Sequence, residues 1–192
     1  MQFKLKEFNT PITVSQIANI HYFEFTNQYH TNDDAHNFCE LVYVDKGEVS
    51  VKSSNYCGKL LNNQLIIHRP NEIHSLKCTD DTAPNIIIIG FECTSDELIV
   101  FSKQPVTLIT EHQKMLAEIM KEGMSVYAPP YDLPNTTDMK KRDSYPFGAD
   151  QMIKLKLEIL LITLIRYFSY PQLTSKSEAY ADTELLNVRF KL

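Results

Sequence analysis

The sequence predicts a mostly β chain that ends in two α-helices. Short apolar runs separated by turn residues dominate as far as Ile109, and the apolar spacing becomes helical after Thr110 and again from Ala149 to about Tyr170. Several short strands with turns between them suggest a barrel or a sandwich. A length of 192 residues suffices for one domain with a proper core plus a helical appendage, and 43% hydrophobic with 22% charged residues is ordinary for a folded soluble chain.

A polar arm, Met1 to Thr13, comes first, and His21 to Thr26 alternates as a strand. Asp34 to Val44 reads as an extended strand in which Asp34, His36, Phe38, Glu40, Val42 and Val44 share one face and Cys39, Leu41 and Tyr43 the other. Gly47 supplies the positive φ of a tight hairpin turn, with Val49 to Ser53 as the return strand. Leu65 to Arg69 is a strand closed by Pro70, which cannot donate to a ladder. Ile86 to Ile89 is a buried strand closing near Gly90 and Phe91. Thr110 and Gln113 have capping-box spacing before Met115, Leu116, Ile119, Met120 and Met124 at helical steps. Four prolines, Pro129, Pro130, Pro134 and Pro146, and the run Lys140-Lys141-Arg142 mark 125–148 as a long loop, expected to be mobile.

The second helix has two apolar faces. Ile153, Leu157, Leu160, Leu161, Leu164 and Phe168 suit packing on the strands, whereas Met152, Leu155, Ile159 and Ile162 repeat at seam spacing on another side. Either the first helix covers that second set within one subunit, or a second copy does. Lys154, Lys156, Glu158 and Arg166 interrupt the segment and exclude a membrane span.

Three ionisable groups, Asp34, His36 and Glu40, are followed at fixed spacing by Gly47 and then by Pro70-Asn71-Glu72-Ile73-His74. This pattern resembles the cupin barrel. The run from His36 to Glu48, HNFCELVYVDKGE, and that from Leu65 to His74, LIIHRPNEIH, are similar to the N-terminal domain of AraC-type (AraC/XylS) transcriptional regulators, a resemblance covering about 15–170. It implies a cupin-like β-barrel (double-stranded β-helix or jelly roll) followed by two α-helices. It also implies effector binding in the barrel, dimerisation through the second helix, and DNA binding by a C-terminal helix-turn-helix domain. The expected division is a barrel with its arm over 1–110, a helical dimerisation element over 111–170, and a linker over 171–192. About 20 residues after Pro171 cannot supply a helix-turn-helix unit. The chain is therefore expected to be the sensor half of a regulator, with a stand-alone domain as the alternative.

The departures from the cupin pattern matter too. Metal-binding members would offer histidine at Asp34, glycine near Glu72 and another ligand after His74, so no metal and no cofactor are expected. Asp34, His36, Phe38, Glu40 and His74, with Tyr22 and Tyr43 as walls, are the candidate effector site of a chain expected not to be an enzyme. A second reading makes His36 and Glu40 a structural pair. A third makes His36, Glu40 and His74 the centre of a metal-dependent cupin isomerase or oxygenase. His68 and Arg69 have opposite parity, and the register that would choose between them is not readable. With no inward lysine, a neutral polyhydroxyl or cationic effector is favoured unless Arg69 faces inward. His21, His30 and His112 are expected at the surface.

A net charge of −5 gives no footprint for a polyanion, so DNA contact is expected only through the C-terminal domain. No secretory signal follows Met1, and the four cysteines, Cys39, Cys57, Cys78 and Cys93, form no CxxC pair; a reduced, cytoplasmic, homodimeric chain is expected.

Overall fold

The computed structural model describes residues 1–26, 28–78, 83–133 and 136–170. Eight strands form two antiparallel sheets. The first contains, in spatial order, β1 (Gln16–Glu24), β7 (Asn85–Glu92), β2 (Cys39–Lys46), β5 (Gln64–His68) and β8 (Val106–Thr107). The second contains β4 (Cys57–Leu61), β3 (Glu48–Ser53) and β6 (His74–Cys78). A short helix α1 (Val100–Lys103) precedes α2 (Thr110–Val126) and α3 (Ala149–Ser169).

The large sheet is covered on both faces. Val42, Val44, Ile66, Ile86 and Ile88 meet Val49, Val51, Leu60, Leu76 and Cys78 of the small sheet, while Leu41, Tyr43, Ile87, Ile89 and Phe91 pack under Leu116, Ile119, Leu157, Leu160 and Leu161 of the helices. This accounts for the unbroken apolar runs in β2 and β7, because a strand buried on both sides has no polar alternation. The small sheet keeps one wet face, with Lys52, Lys59 and Lys77 outward. β1 would be a bare edge, but the segment after α2 lies along it, with Tyr22 N–H donating to Tyr131 O (3.2 Å) and Ile20 N–H to Met139 Sδ (3.1 Å).

Several expectations need correction. Gly47 has φ of 80°, but the strands it joins belong to different sheets, so it turns the chain across the sandwich and closes no hairpin. β2 begins only at Cys39; residues 35–38 form a loop, and Asp34 makes an isolated bridge to His74. Ile109 rather than Thr110 precedes α2, no side chain caps it, and Gln113 Nε2 donates back to Leu108 O (3.0 Å). The described part of 125–148 is anchored as well as long: Ala128 N–H donates to Lys140 O and Arg142 N–H to Val126 O, both at 2.8 Å. His21 and His112 are buried, not at the surface, and burial lowers both pKa values against weaker opposing contacts. The expected linker 171–192 lies outside the described residues. No described helix is long and apolar enough to cross a membrane.

Leu60 is fully buried between the sheets. Leu60→Ala should lower the unfolding free energy by about 2–5 kcal/mol in urea titration, whereas Lys77→Ala on the wet face should change it by less than about 0.5 kcal/mol. Equal effects would contradict the two-sheet core.

Candidate functional site

At one end of the sandwich the apolar filling gives way to charge. In β2 the parity of Val42 and Val44 carries Glu40 inward, and antiparallel pairing sets His68 of β5 on one side of it and Gly90 of β7 on the other. The turn after β5 is tight because Asn71 takes a left-handed φ of 62°, a conformation asparagine tolerates. Glu72 stabilises it by accepting the Arg69 N–H at 2.9 Å. Asn71 N–H donates to His36 O (2.7 Å), and Asp34 and His74 exchange backbone bonds of 2.9 and 3.0 Å. The loop carrying His36 and the turn leading to His74 are thus fastened together, and both imidazoles hang over Glu40.

The histidine tautomers follow from the backbone. His36 Nδ1 lies 3.0 Å from Phe38 O and His74 Nδ1 lies 2.8 Å from Glu72 O; a carbonyl only accepts, so each Nδ1 carries a proton. Both Nε2 atoms then face the carboxylate, His36 Nε2 at 3.3 Å from Oε2 and His74 Nε2 at 3.3 Å from Oε1. A neutral imidazole would present a lone pair to an anion there. Either the rings are protonated and Glu40 accepts from them, or a cation stands among the three. Burial pushes the Glu40 pKa up, but the bonds from His36 and His74 outweigh it and hold the carboxyl at about 2. Burial lowers the His74 pKa, and the Glu40 bond and charge more than reverse this, so it is raised.

A second buried pair stands behind the first. His68 is fully buried, its ring stacked on His74 at 4.2 Å, and its Nδ1 lies 3.6 Å from Glu72 Oε1. Burial raises the Glu72 pKa, but His68, the Arg69 N–H and Ser53 outweigh it and hold it at about 2. Among the described residues, five buried side-chain atoms lack a hydrogen-bond partner, and four of them are here: His36 Nε2, both His68 nitrogens and Glu72 Oε1. Of these four atoms, three stand in loose ion pairs, His36 Nε2 with Glu40 and His68 Nδ1 with Glu72 Oε1, and His68 Nε2 alone has no partner among the described residues. The donor atoms of His36, Glu40 and His74 all lie within 4.8 Å of one another, so a modest contraction would let them ligate a divalent cation, with the carbonyls at Nδ1 holding the rings in orientation.

The structure brings together His36, Phe38, Glu40 and His74 of the expected site. Phe38 stacks on His36 at 3.8 Å, in space left by Gly90, where a Cβ would stand 2.8 Å from the Phe38 ring. Asp34 is exposed, its carboxylate accepting the Ala35 N–H, and it joins through its backbone and through its charge, which helps to raise the His74 pKa. Tyr22 and Tyr43 line no part of this end: both lie on the helix side of the large sheet, Tyr22 Oη donating to Asp45 (2.8 Å) and Tyr43 Oη to Asn63 (3.1 Å). Parity is the reason, since Tyr43 is an odd step from Glu40. Sequence reasoning missed Glu72 and Gly90 and left His68 open. The lone glycine in an apolar strand, a usual sign of close approach, was the available signal for Gly90. Arg69 points away and pairs with Asp96 (2.9 Å). On α3, Met152, Leu155 and Ile159 are exposed, and Ile162 is partly buried against the core.

No protein-family sequence model and no curated protein matches the chain. Solved structures do. A cupin 2 domain-containing protein from Halorhodospira halophila is 18% identical over 50% of this chain and 62% of its own, with a TM-score of 0.34. Apo ToxT K231A from Vibrio cholerae strain SCE256, an AraC-family regulator, is 11% identical over 85% of this chain and 59% of its own, with a TM-score of 0.47. DMSP lyase DddQ from Ruegeria pomeroyi DSS-3 is 15% identical over 46% of this chain and 40% of its own, with a TM-score of 0.33. The chain spans less than two thirds of each of these proteins, and identities this low relate shapes, not activities. The neighbours are cupin-type proteins, regulator and enzyme alike. The expectation that the chain is not an enzyme is accordingly withdrawn, since a lyase stands among structures of this shape.

The charge pair has a defined pH signature. Glu40 titrates ordinarily near 4.5 and in the fold at about 2, so its contribution is complete above 4.5 and lost as pH falls towards 2. His74 has a folded value above its ordinary 6.5, so its contribution is complete below 6.5 and lost as pH rises through the raised value. Urea midpoints should be higher near pH 5.5 than near pH 3 or pH 9, and Glu40→Gln should flatten both limbs by roughly half or more. An unaltered profile in the variant would show that Glu40 does not bind these protons.

Proposed function

We propose that this chain is the ligand-sensing and dimerising part of an AraC-type transcriptional regulator. A small molecule binds at the His36, Glu40 and His74 end of the sandwich and biases how two copies present helix-turn-helix domains. The observation that carries the reading is α3: Ile153, Leu157, Leu160, Leu161 and Leu164 are buried, yet Met152, Leu155 and Ile159 remain 41%, 41% and 52% exposed on the same helix. α2 runs alongside this stripe, where Lys156 pairs with Glu118 and Glu122, and still leaves the three side chains exposed. An apolar stripe beside a buried face suits a second helix of the same kind. The ligand end supports the other half of the reading, with loosely paired histidines and carboxylates and one buried nitrogen, His68 Nε2, open to a ligand. Because Arg69 is engaged with Asp96 and the ionised Glu40 and Glu72 are each faced by histidines, a neutral polyhydroxyl, or a cationic compound when the rings are neutral, suits this end. The net charge of −5 leaves DNA contact to other domains.

The converging Nε2 lone pairs favour a second reading, in which the three donors hold a divalent cation and the chain is a metal-dependent cupin enzyme. His36, Glu40 and His74 would be its ligands, and the cation would supply Lewis-acid polarisation of a substrate oxygen. In that reading His68 and Glu72 remain positioning residues behind His74.

Sedimentation should find a dimer that Leu155→Lys with Ile159→Lys converts to a folded monomer; an unchanged mass would remove α3 from the interface. Elemental analysis after chelator-free purification separates the two readings. Zinc, iron or manganese in stoichiometric amount, lost in His36→Ala and His74→Ala, would establish the enzyme-type centre. The sensor reading instead expects the apparent melting temperature to rise by several degrees with a polyhydroxyl or cationic ligand, and that rise to vanish in Glu40→Gln.

A further inference from the structure

The N-terminal arm exposes what a folded chain ordinarily covers. Residues 1–11 join neither sheet, and Phe3, Leu5 and Phe8 are 80%, 89% and 93% exposed. Over residues 2–6 Phe3 and Leu5 alternate with Gln2, Lys4 and Lys6, so an extended arm there has one apolar and one basic edge, after which Glu7 and Phe8 exchange the two characters. Downstream the arm is firmly anchored. Ile12 and Val14 are buried, Val14 N–H donates to Glu158 Oε1 at 2.9 Å, and Ser15 N–H and Oγ donate to Glu92. The free part of the arm therefore departs from the middle of α3.

A groove of about 440 Å³ runs beside this anchor, between the start of β1 and the first turns of α3. Ile17, Tyr127, Ile153 and Leu157 make it apolar, and Asp150, Gln151 and Lys154 edge it. Three carboxylates stand at or near the groove, Asp150, Glu158 and Glu92, with two lysines among them, Lys141 on Asp150 and Lys154 on Glu158. The surplus is acidic, and the arm is basic. Val14 to Ile17 form one wall, so the arm of the same chain would have to double back over its own anchor to enter.

A second copy removes that difficulty. A two-fold axis through the middle of the Met152, Leu155 and Ile159 stripe, perpendicular to α3, brings Glu158 of one copy level with Ile153 of the other. The arm leaving at Glu158 is then level with the other copy's groove, which lies on the side of that α3 away from the stripe, so the arm has to pass around the helix to enter it. Eleven extended residues reach up to about 36 Å, more than the roughly 31 Å length of the 21-residue α3, so reach is ample. We propose that residues 3–8 of each copy lie in the β1–α3 groove of the other, Phe3, Leu5 or Phe8 filling its apolar floor, so that the dimer is arm-exchanged. This inference rests on the α3 dimer proposed above.

Full-length chains carrying Cys57→Ser supply the test, since the remaining cysteines are buried. Chains with Leu5→Cys are mixed with chains bearing Gln151→Cys and mildly oxidised. The expected result is a covalent species of two chains, one of each kind, and a rise of at least about tenfold in the dimer dissociation constant when Phe3 and Phe8 are replaced by serine. A dimer that gives no link between chains overturns the exchange and leaves the α3 dimer standing. A monomer at all concentrations overturns both. An unchanged dissociation constant in the serine variant overturns the exchange alone.

Discussion

Burial of the large sheet on both faces is the constraint from which the rest follows. β2 and β7 separate two apolar layers, so each of their buried residues must satisfy either the small sheet or the helices. A slip of one residue would interchange those layers, and the register is therefore strongly specified. The same parity that sends Val42 and Val44 inward sends Glu40 inward too, where only its position at the end of the strand spares it from a wholly apolar surrounding. The carboxylate is tolerable there because His36 and His74 meet it from segments clamped together by backbone hydrogen bonds.

Much of this arrangement was readable in advance, and the unread parts share a cause. Ile86 to Ile89 declared a doubly buried strand, and the helical spacing after Thr110 and Ala149 located both long helices. β4 and β6 escaped because they lie in the small sheet, where Lys59, Ser75 and Lys77 face water or its edge and dilute the apolar signal. At Gly47 the positive φ was legible but its destination was not, since which sheet receives the next strand is a tertiary choice.

The site shows the same division. His36, Glu40 and His74 were recognisable from spacing, but His36 reaches Glu40 through a loop and not through strand alternation, so Asp34, placed by alternation, stays outside. Tyr43 was already on the opposite parity and could not have been a wall. His68 could be chosen over Arg69 only once Glu40 was seen to pair with it across β2 and β5. Glu72 occupies a turn position where a glycine was looked for, and its carboxylate serves the Arg69 N–H and His68 instead.

The two-sided sheet offers a physical route between the Glu40 end and α3. Glu40 and Gly90 sit on the inner face of β2 and β7, one residue from Leu41, Ile89 and Phe91, which pack under the helices in the core that includes Leu157 and Leu161 of α3. Close packing lets a displacement of β2 or β7 on one face be felt on the other without an intermediate element. If a ligand bound at Glu40 and two copies paired through α3, the ligand could bias the pairing only by the difference in its affinity for the two arrangements, and the pairing would bias ligand affinity by the same factor. An arm held in the neighbouring copy would strengthen that linkage, because its anchor bonds to Glu158 on the same helix and to Glu92 at the end of the strand that carries Gly90.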